Sequence, residues 1–272
     1  MRHIGRELVK ILAQKRTYFG WVGLFIVPFL ITLAIRLQHH QPGRGDQQGP
    51  DFFFNLITSN GLYVVVGALV ALVTFLLPLL SSMSGSQTIA GEAENGTLRT
   101  VLMQPVRRGS VLMAKWFVAN LYIAIGLVVL AVGALIAGGA VYGLRPMLLL
   151  TGQTVSVGHS LWLIFLAYVY AWVGMMAVVS LGVALSTLTN SGLAAMGAGL
   201  GLVVIMLILG GLSVFDFLHP YLFTSHFQDL INFFHKPIDW VPIRNGLINF
   251  VVWIVGMTGI GWLNFRRKDI LS

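Results

Sequence analysis

Apolar residues run in six long stretches along this chain, separated by shorter polar segments. A helix rising 1.5 Å per residue needs about 20 apolar residues to cross about 30 Å of hydrocarbon. Stretches of that length fall at 18–37, 61–80, 117–142, 160–185, 192–215 and 246–265. Backbone N–H and C=O groups cannot go unpaired in lipid, so each stretch is expected to be a helix. The two-residue alternation of a membrane barrel is absent from all of them. The pattern predicts an all-α integral membrane protein, one transmembrane domain of six helices over residues 1–272.

Composition agrees. Apolar residues make up 57% of the chain and charged residues 10%, where soluble proteins carry about 25% charged residues. Mean hydropathy is +0.84, so the bilayer is the solvent. The net charge of +8 raises the question of nucleic acid. The basic residues flank apolar runs, however, which points to topology and anionic headgroups and not to a nucleic-acid partner. With the N-terminus inside, the inner segments hold twelve Lys and Arg (Arg2, Arg6, Lys10, Lys15, Arg16, Arg99, Arg107, Arg108, Lys115, Arg266, Arg267, Lys268). The outer segments hold five, Arg36, Arg44, Arg145, Lys236 and Arg244. That bias puts both termini in the cytoplasm of a protein of the inner (plasma) membrane. There is no cysteine, hence no disulfide and no thiolate metal site.

The first run contains Pro28 and leads into Arg36-Leu37-Gln38-His39, with no small-residue cleavage site, so it is expected to remain as a span. Before it, Ile4, Leu8, Ile11 and Leu12 recur at helical spacing among Arg6, Lys10 and Lys15. This predicts an interfacial amphipathic helix over 1–17, with a loose basic tail as the alternative. The outer loop 38–51 is polar and rich in Gly and Pro, as irregular loops are. The outer segment 216–244 packs Phe217, Tyr221, Phe223, Phe227, Phe233, Phe234 and Trp240 among three prolines. Aromatic residues favour the headgroup level, so one or two short helices on or in the outer leaflet are expected there.

No charged residue or histidine lies well inside any span. Ion-driven carriers keep carboxylates or broken helices at mid-depth, and channels use rings of carbonyls or charges. Here the core polar residues are the neutral Thr74, Asn120, Ser180 and Thr258. The energy source is therefore expected outside the chain, and the cargo large or amphiphilic. Gly197 and Gly201 form a small-residue pair in the fifth run, suited to packing within the bundle or across a dimer. His39, His40, His159, His219, His226 and His235 fall outside, but no pair has the spacing of helical ligands. Interfacial side chains are the expectation, and no metal site.

The inner segment 81–116 is the polar exception. It holds both carboxylates found between Asp51 and Asp216, namely Glu92 and Glu94. Ser84 and Gln87 fit a capping box for a helix running through Ile89 and Ala93. Gly96 interrupts it, Thr97 caps a second turn with Leu98, and Pro105 ends that turn. Arg107-Arg108-Gly109-Ser110 then reads as a turn, with Ser110 capping the next span. The product is a kinked helical element against the membrane with Glu92 and Glu94 on offer, or, alternatively, a solvated hairpin.

The series Glu92-x-Glu94-x-Gly96-Thr97-Leu98, followed by Pro105, Arg107, Arg108 and Lys115, resembles the loop between spans two and three of type-2 ATP-binding-cassette (ABC) permeases. The terminal Phe265-Arg-Arg-Lys-Asp269-Ile270 is similar to that family's ending, and the resemblance covers the whole chain. It implies a dimeric exporter permease, each copy seated on a separate ABC ATPase subunit that binds ATP and Mg. Glu92, Glu94, Gly96, Thr97 and Leu98 would form a cytoplasmic coupling helix docked in that ATPase. Pro105, Arg107, Arg108 and Lys115 would anchor the loop to headgroups or support the docking. No G-x-x-x-x-G-K-[ST] phosphate loop is present, so no cofactor and no catalytic residue are expected in this chain itself. Two other readings are a carrier or channel working alone, and a lipid-modifying enzyme using Asp216, His219, His226, Asp229, His235 and Asp239.

Overall fold

Lipid tails are as apolar as leucine, so membrane helices associate where small residues let their backbones approach. That rule organises the computed structural model of this chain, which describes residues 15–38, 60–97, 108–149 and 151–267, with positions 5 and 9. The helices are α1 (Lys15–Gln38), α2 (Gly61–Val73), α3 (Leu76–Ser86), α4 (Ala90–Glu94), α5 (Arg108–Tyr142), α6 (Val157–Leu188), α7 (Gly192–Gly210) and α8 (Trp240–Arg267). A two-stranded antiparallel hairpin, β1 (Met147–Leu148) and β2 (Thr154–Val155), joins α5 to α6. Two 3-10 segments, Ser213–Leu218 and Phe223–Phe234, lie between α7 and α8. Among the described residues five helices, α1, α5, α6, α7 and α8, are long and apolar enough to cross a bilayer. The pair α2 and α3, bent by 55°, would make a sixth span together.

The bend at Thr74 and Phe75 has an identifiable cause. Pro78 has no N–H to offer the carbonyl of Thr74, and its ring crowds the preceding turn, which breaks the ladder there. The helical run therefore does not stop at residue 80, as the hydropathy predicts. It resumes as α3 and runs to Ser86, with Ser81, Ser82 and Ser86 fully buried. The Ser81 hydroxyl donates to the carbonyl of Leu77 at 2.7 Å, one of the ways a serine is carried inside a membrane helix.

α6 is the most buried span and packs against α8, α3, α7, α5 and α2. Its crossing with α3 is set by Gly85 and Gly182. A Cβ on Gly182 would lie 3.0 Å from the Ser82 carbonyl oxygen, and one on Gly85 would strike the Val179 carbonyl. The outer crossing of α2 and α5 follows the same device, with Gly61 and Gly138 backbone to backbone. α1 lies along α5, where Trp21 stacks on Tyr122 with centroids 5.5 Å apart and donates to the Tyr122 carbonyl at 3.2 Å.

Several boundaries move for physical reasons. α5 begins at Arg108, so Ser110 lies inside the helix and is not its cap. α7 stops at Gly210, short of the expected residue 215, and the chain turns extended at Leu212 (φ −106°, ψ 116°). α8 begins at Trp240, because the Asp239 carboxylate accepts from Val241 N–H at 3.2 Å and Pro242 is tolerated in a first turn. The aromatic segment is partly packed into the protein. Phe223, Phe227, Phe233 and Phe234 are buried in the protein against α6 and α8, leaving Phe217 and Tyr221 exposed. With the buried Leu230 between them, Phe223, Phe227 and the Phe233–Phe234 pair recur every three to four residues and share one helical side, where the ring of Phe223 lies edge-on to Trp253 at 5.1 Å. The loop 39–59 and most of the expected 1–17 helix lie outside the described residues.

Gly85→Leu should force α3 and α6 apart, costing about 1–3 kcal/mol by overpacking and lowering the thermal unfolding midpoint in detergent by several degrees. Gly256→Ala, at a position with no neighbour within 4 Å, should leave that midpoint unchanged.

Candidate functional site

The polar inner segment becomes a short helix wedged against the bundle. α3 ends at Ser86, and the turn at Gln87 to Ile89 closes through Gln87 N–H to Met83 O and Thr88 N–H to Gly85 O, both 3.2 Å. Ser84 therefore starts no helix: it lies within α3 and donates to the Ala119 carbonyl of α5 at 3.2 Å, and Gln87 is the residue that ends α3. Ile89 and Ala90 are fully buried and seat α4 on the bundle. The Thr88 hydroxyl lies 3.4 Å from that of Ser186, which brings the turn onto the inner end of α6.

Gly96 ends α4 as the sequence requires. Its φ is +68°, and a Cβ there would meet nothing within 4 Å, so the demand is on conformation and not on space. The Asn95 side chain donates to the Gly91 carbonyl at 2.6 Å, and the Thr97 hydroxyl donates to that of Glu92 at 3.3 Å. These bonds satisfy carbonyls that a helix end leaves open. Residues Glu94, Asn95, Gly96 and Thr97 form the exposed tip.

The two carboxylates are turned inward. Glu92 Oε1 lies 2.7 Å from Lys115 Nζ, and the Glu92 and Lys115 side chains are almost wholly buried. Lys115 thus sits two turns inside α5, within the protein and away from headgroups. Glu94, though partly exposed, accepts from the backbone N–H of Gly192 at 2.8 Å. Gly192 opens α7, whose positive end favours a carboxylate. The Gln87 amide fits between the two: a Cβ on Gly192 would lie 3.0 Å from its Oε1, and one on Gly91 would collide with it.

Of the residues read from the sequence, Glu92, Glu94, Gly96, Thr97 and Lys115 are brought together here. Arg108 stands apart, donating to the Arg266 carbonyl at the end of α8 at 3.3 Å. Leu98, Pro105 and Arg107 lie outside the described residues. Gly197 and Gly201 are distant from the loop in sequence, and neither has an atom within 4 Å of a Cβ placed on it. Sequence reasoning missed Gln87, Ser186 and Gly192 as partners, and the pairing of Glu92 with Lys115. One signal was available, since Lys115 is a lone charge among Val111, Leu112, Met113, Ala114, Trp116 and Phe117, and such charges have partners.

Polar residues deeper in the bundle are consumed by packing. Trp116 Nε1 donates to Ser180 Oγ at 2.8 Å, and Trp172 Nε1 to the Asn120 carbonyl at 3.3 Å. In the segment between α7 and α8 His226 Nδ1 pairs with Asp229 at 2.7 Å, and Tyr170 donates to the His226 carbonyl at 2.9 Å. No group of three or more His, Asp or Glu side chains converges as metal ligands among the described residues.

These features describe a multi-pass helical membrane protein with a polar element fastened to one end of its long helices. Residues 26–270 match the family described as ABC-2 family transporter protein, and the chain belongs to that family as an ABC transporter membrane subunit. Over 109 residues it is 35% identical to the probable ABC transporter permease protein NosY of Pseudomonas aeruginosa, spanning 39% of this chain and 40% of that relative. Over 79 residues it is 33% identical to the protein of the same name from Stutzerimonas stutzeri, spanning 27% of this chain and 29% of the relative.

Lys115→Met and Glu92→Leu should each destabilise the purified protein, and the double variant by less than their sum. The coupling expected from a double-mutant cycle of thermal or denaturant unfolding is about 0.5–3 kcal/mol.

Proposed function

We propose that this chain is the permease subunit of an ATP-driven exporter, and that α4 with its tip at Asn95, Gly96 and Thr97 docks on a separate ABC ATPase subunit. The observation that carries the reading is the short inner helix itself, seated on the bundle with its tip exposed. A rigid projection on the side richer in Lys and Arg is what a cytoplasmic partner can push, and family membership supports such a partner. In this reading α2 and α3 count as one bent span, giving six, with both termini cytoplasmic. ATP and Mg belong to the ATPase, and this chain supplies no catalytic group. A second copy of the permease completes the pathway, with α7 presenting Gly197 and Gly201 to it, since among the described residues nothing comes within 4 Å of a Cβ placed at either. The cargo class that suits spans without buried charge at mid-depth is amphiphilic, a lipid-like molecule, drug or peptide.

Thr97→Arg should abolish co-purification with the cognate ATPase or the permease-dependent part of its hydrolysis, while loss of its bond to the Glu92 carbonyl lowers the permease's own unfolding midpoint only slightly. Flux of an amphiphilic dye through liposomes holding the pure permease, without any ATPase, would sink the reading in favour of a carrier or channel. The double variant Gly197→Leu, Gly201→Leu is expected to shift the detergent-purified permease from dimer to monomer in sedimentation, while a monomeric native protein would remove α7 as the pairing face.

A further inference from the structure

An ion pair removed from water is seldom stabilising by itself, because desolvation offsets most of the attraction, and its best-attested role is to fix one arrangement over others. Glu92 with Lys115 is such a pair, at 2.7 Å and with little of either side chain exposed. It joins a five-residue helix to α5. Two residues further on, Glu94 joins the same helix to α7 through the Gly192 N–H. At 3.6 residues per turn, positions two apart point about 200° from each other around the axis. α4 is therefore pinned on opposite sides by elements far apart in sequence. Gln87 fills the remaining gap over Gly91 and Gly192, and the turn before α4 rests on Ser186 of α6.

We infer that Glu92–Lys115 and Glu94–Gly192 are a two-point clamp that makes α4 move as one body with the inner ends of α5 and α7, with Lys115 a positioning residue for ATP coupling. The inference rests on α4 being the ATPase-docking element. A helix held at one side only would roll or slide under load, and its displacement would be lost before reaching the spans. With both pins in place, a push on the tip is shared between α5 and α7. The division of labour is also specific: the carboxylates hold the lever to the permease, and the exposed Asn95, Gly96 and Thr97 remain to meet the partner.

The chain has no cysteine, so paired spin labels can be placed on introduced cysteines without further changes. One label at Asn95 on the tip is combined with a second at the exposed Val128 of α5 or the exposed Ile205 of α7, in the full-length permease in lipid nanodiscs. Electron–electron distance measurements should give narrow distributions for both pairs. Lys115→Met should broaden the Asn95–Val128 distribution, and Glu94→Ala, which removes the acceptor, the Asn95–Ile205 distribution. The charge swap Glu92→Lys, Lys115→Glu should restore the narrow Asn95–Val128 distance, which a merely structural lysine would not do. Should Lys115→Met fail to fold, Glu94→Ala and the charge swap still decide the matter. Native-width distributions in the single variants, or a folded charge swap that stays broad, would overturn the clamp. These readings need no ATPase, so they stand apart from the docking question. In the complex with the cognate ATPase, Lys115→Met should bind as the native permease does but lose about fivefold or more of the permease-stimulated hydrolysis. Undiminished stimulation, or a loss explained wholly by weaker binding, would overturn the positioning role.

Discussion

The absence of a hydrophobic drive between helices in lipid is the constraint on which this structure depends. Association must come from close packing, and the closest approaches are those at Gly61 with Gly138 and at Gly85 with Gly182, where backbone meets backbone. The second of these positions the site. Because α3 can lie directly on α6, its end at Ser86 falls beside the inner ends of α5, α6 and α7, and α4 drops into the angle between them. A larger residue at either crossing glycine would move the whole inner element, although no functional side chain is involved.

Polar groups inside this bundle are spent on holding it together. Tryptophan N–H groups bond to Ser180 and to the Asn120 carbonyl, and serines on α3 lie buried among neighbouring helices. The costly contact, a buried carboxylate and ammonium, is kept for the joint between the inner helix and α5. Placing that contact at a joint suits a part that must hold its register under load, since a directional pair specifies an orientation that apolar packing alone does not. The aromatic outer segment shows the contrasting solution. Phe223, Phe227, Phe233 and Phe234 fasten it to α6 and α8 by ring packing, supported by bonds from Tyr170, Asn249 and Trp253 to its backbone carbonyls.

Much of the frame was legible because lipid leaves the backbone few choices. Long apolar runs had to be helices, and the runs beginning near residues 18, 160 and 192 start within three residues of α1, α6 and α7. The failures share one origin. Hydropathy closed the second span before Ser81 and opened the third at Phe117, because Ser81, Ser82, Ser86 and Lys115 read as solvent-facing. Each is buried by a neighbour distant in the chain or by its own preceding turn. Pro78 announced a break but not its 55° angle, which depends on what α3 then packs upon. Four phenylalanines of the segment 216–244 pack against protein, which was not legible, since periodicity cannot say whether the facing surface is lipid or protein.

The sequence by itself determined that the chain is a helical membrane protein, that its one elaborate polar segment lies between the second and third apolar runs, and that Gly96 ends a helix there. Those conclusions follow from local chemistry: unpaired backbone is excluded from hydrocarbon, and φ near +68° is open to glycine at no steric cost. Only the tertiary structure decided that Glu92 and Glu94 face the permease's own α5 and α7. Lys115 lies 23 residues beyond Glu92, and Gly192 lies 98 beyond Glu94, so no periodicity links them. The crossing of glycine-faced helices brings them within bonding distance, and burial then makes the pairing obligatory for the charges.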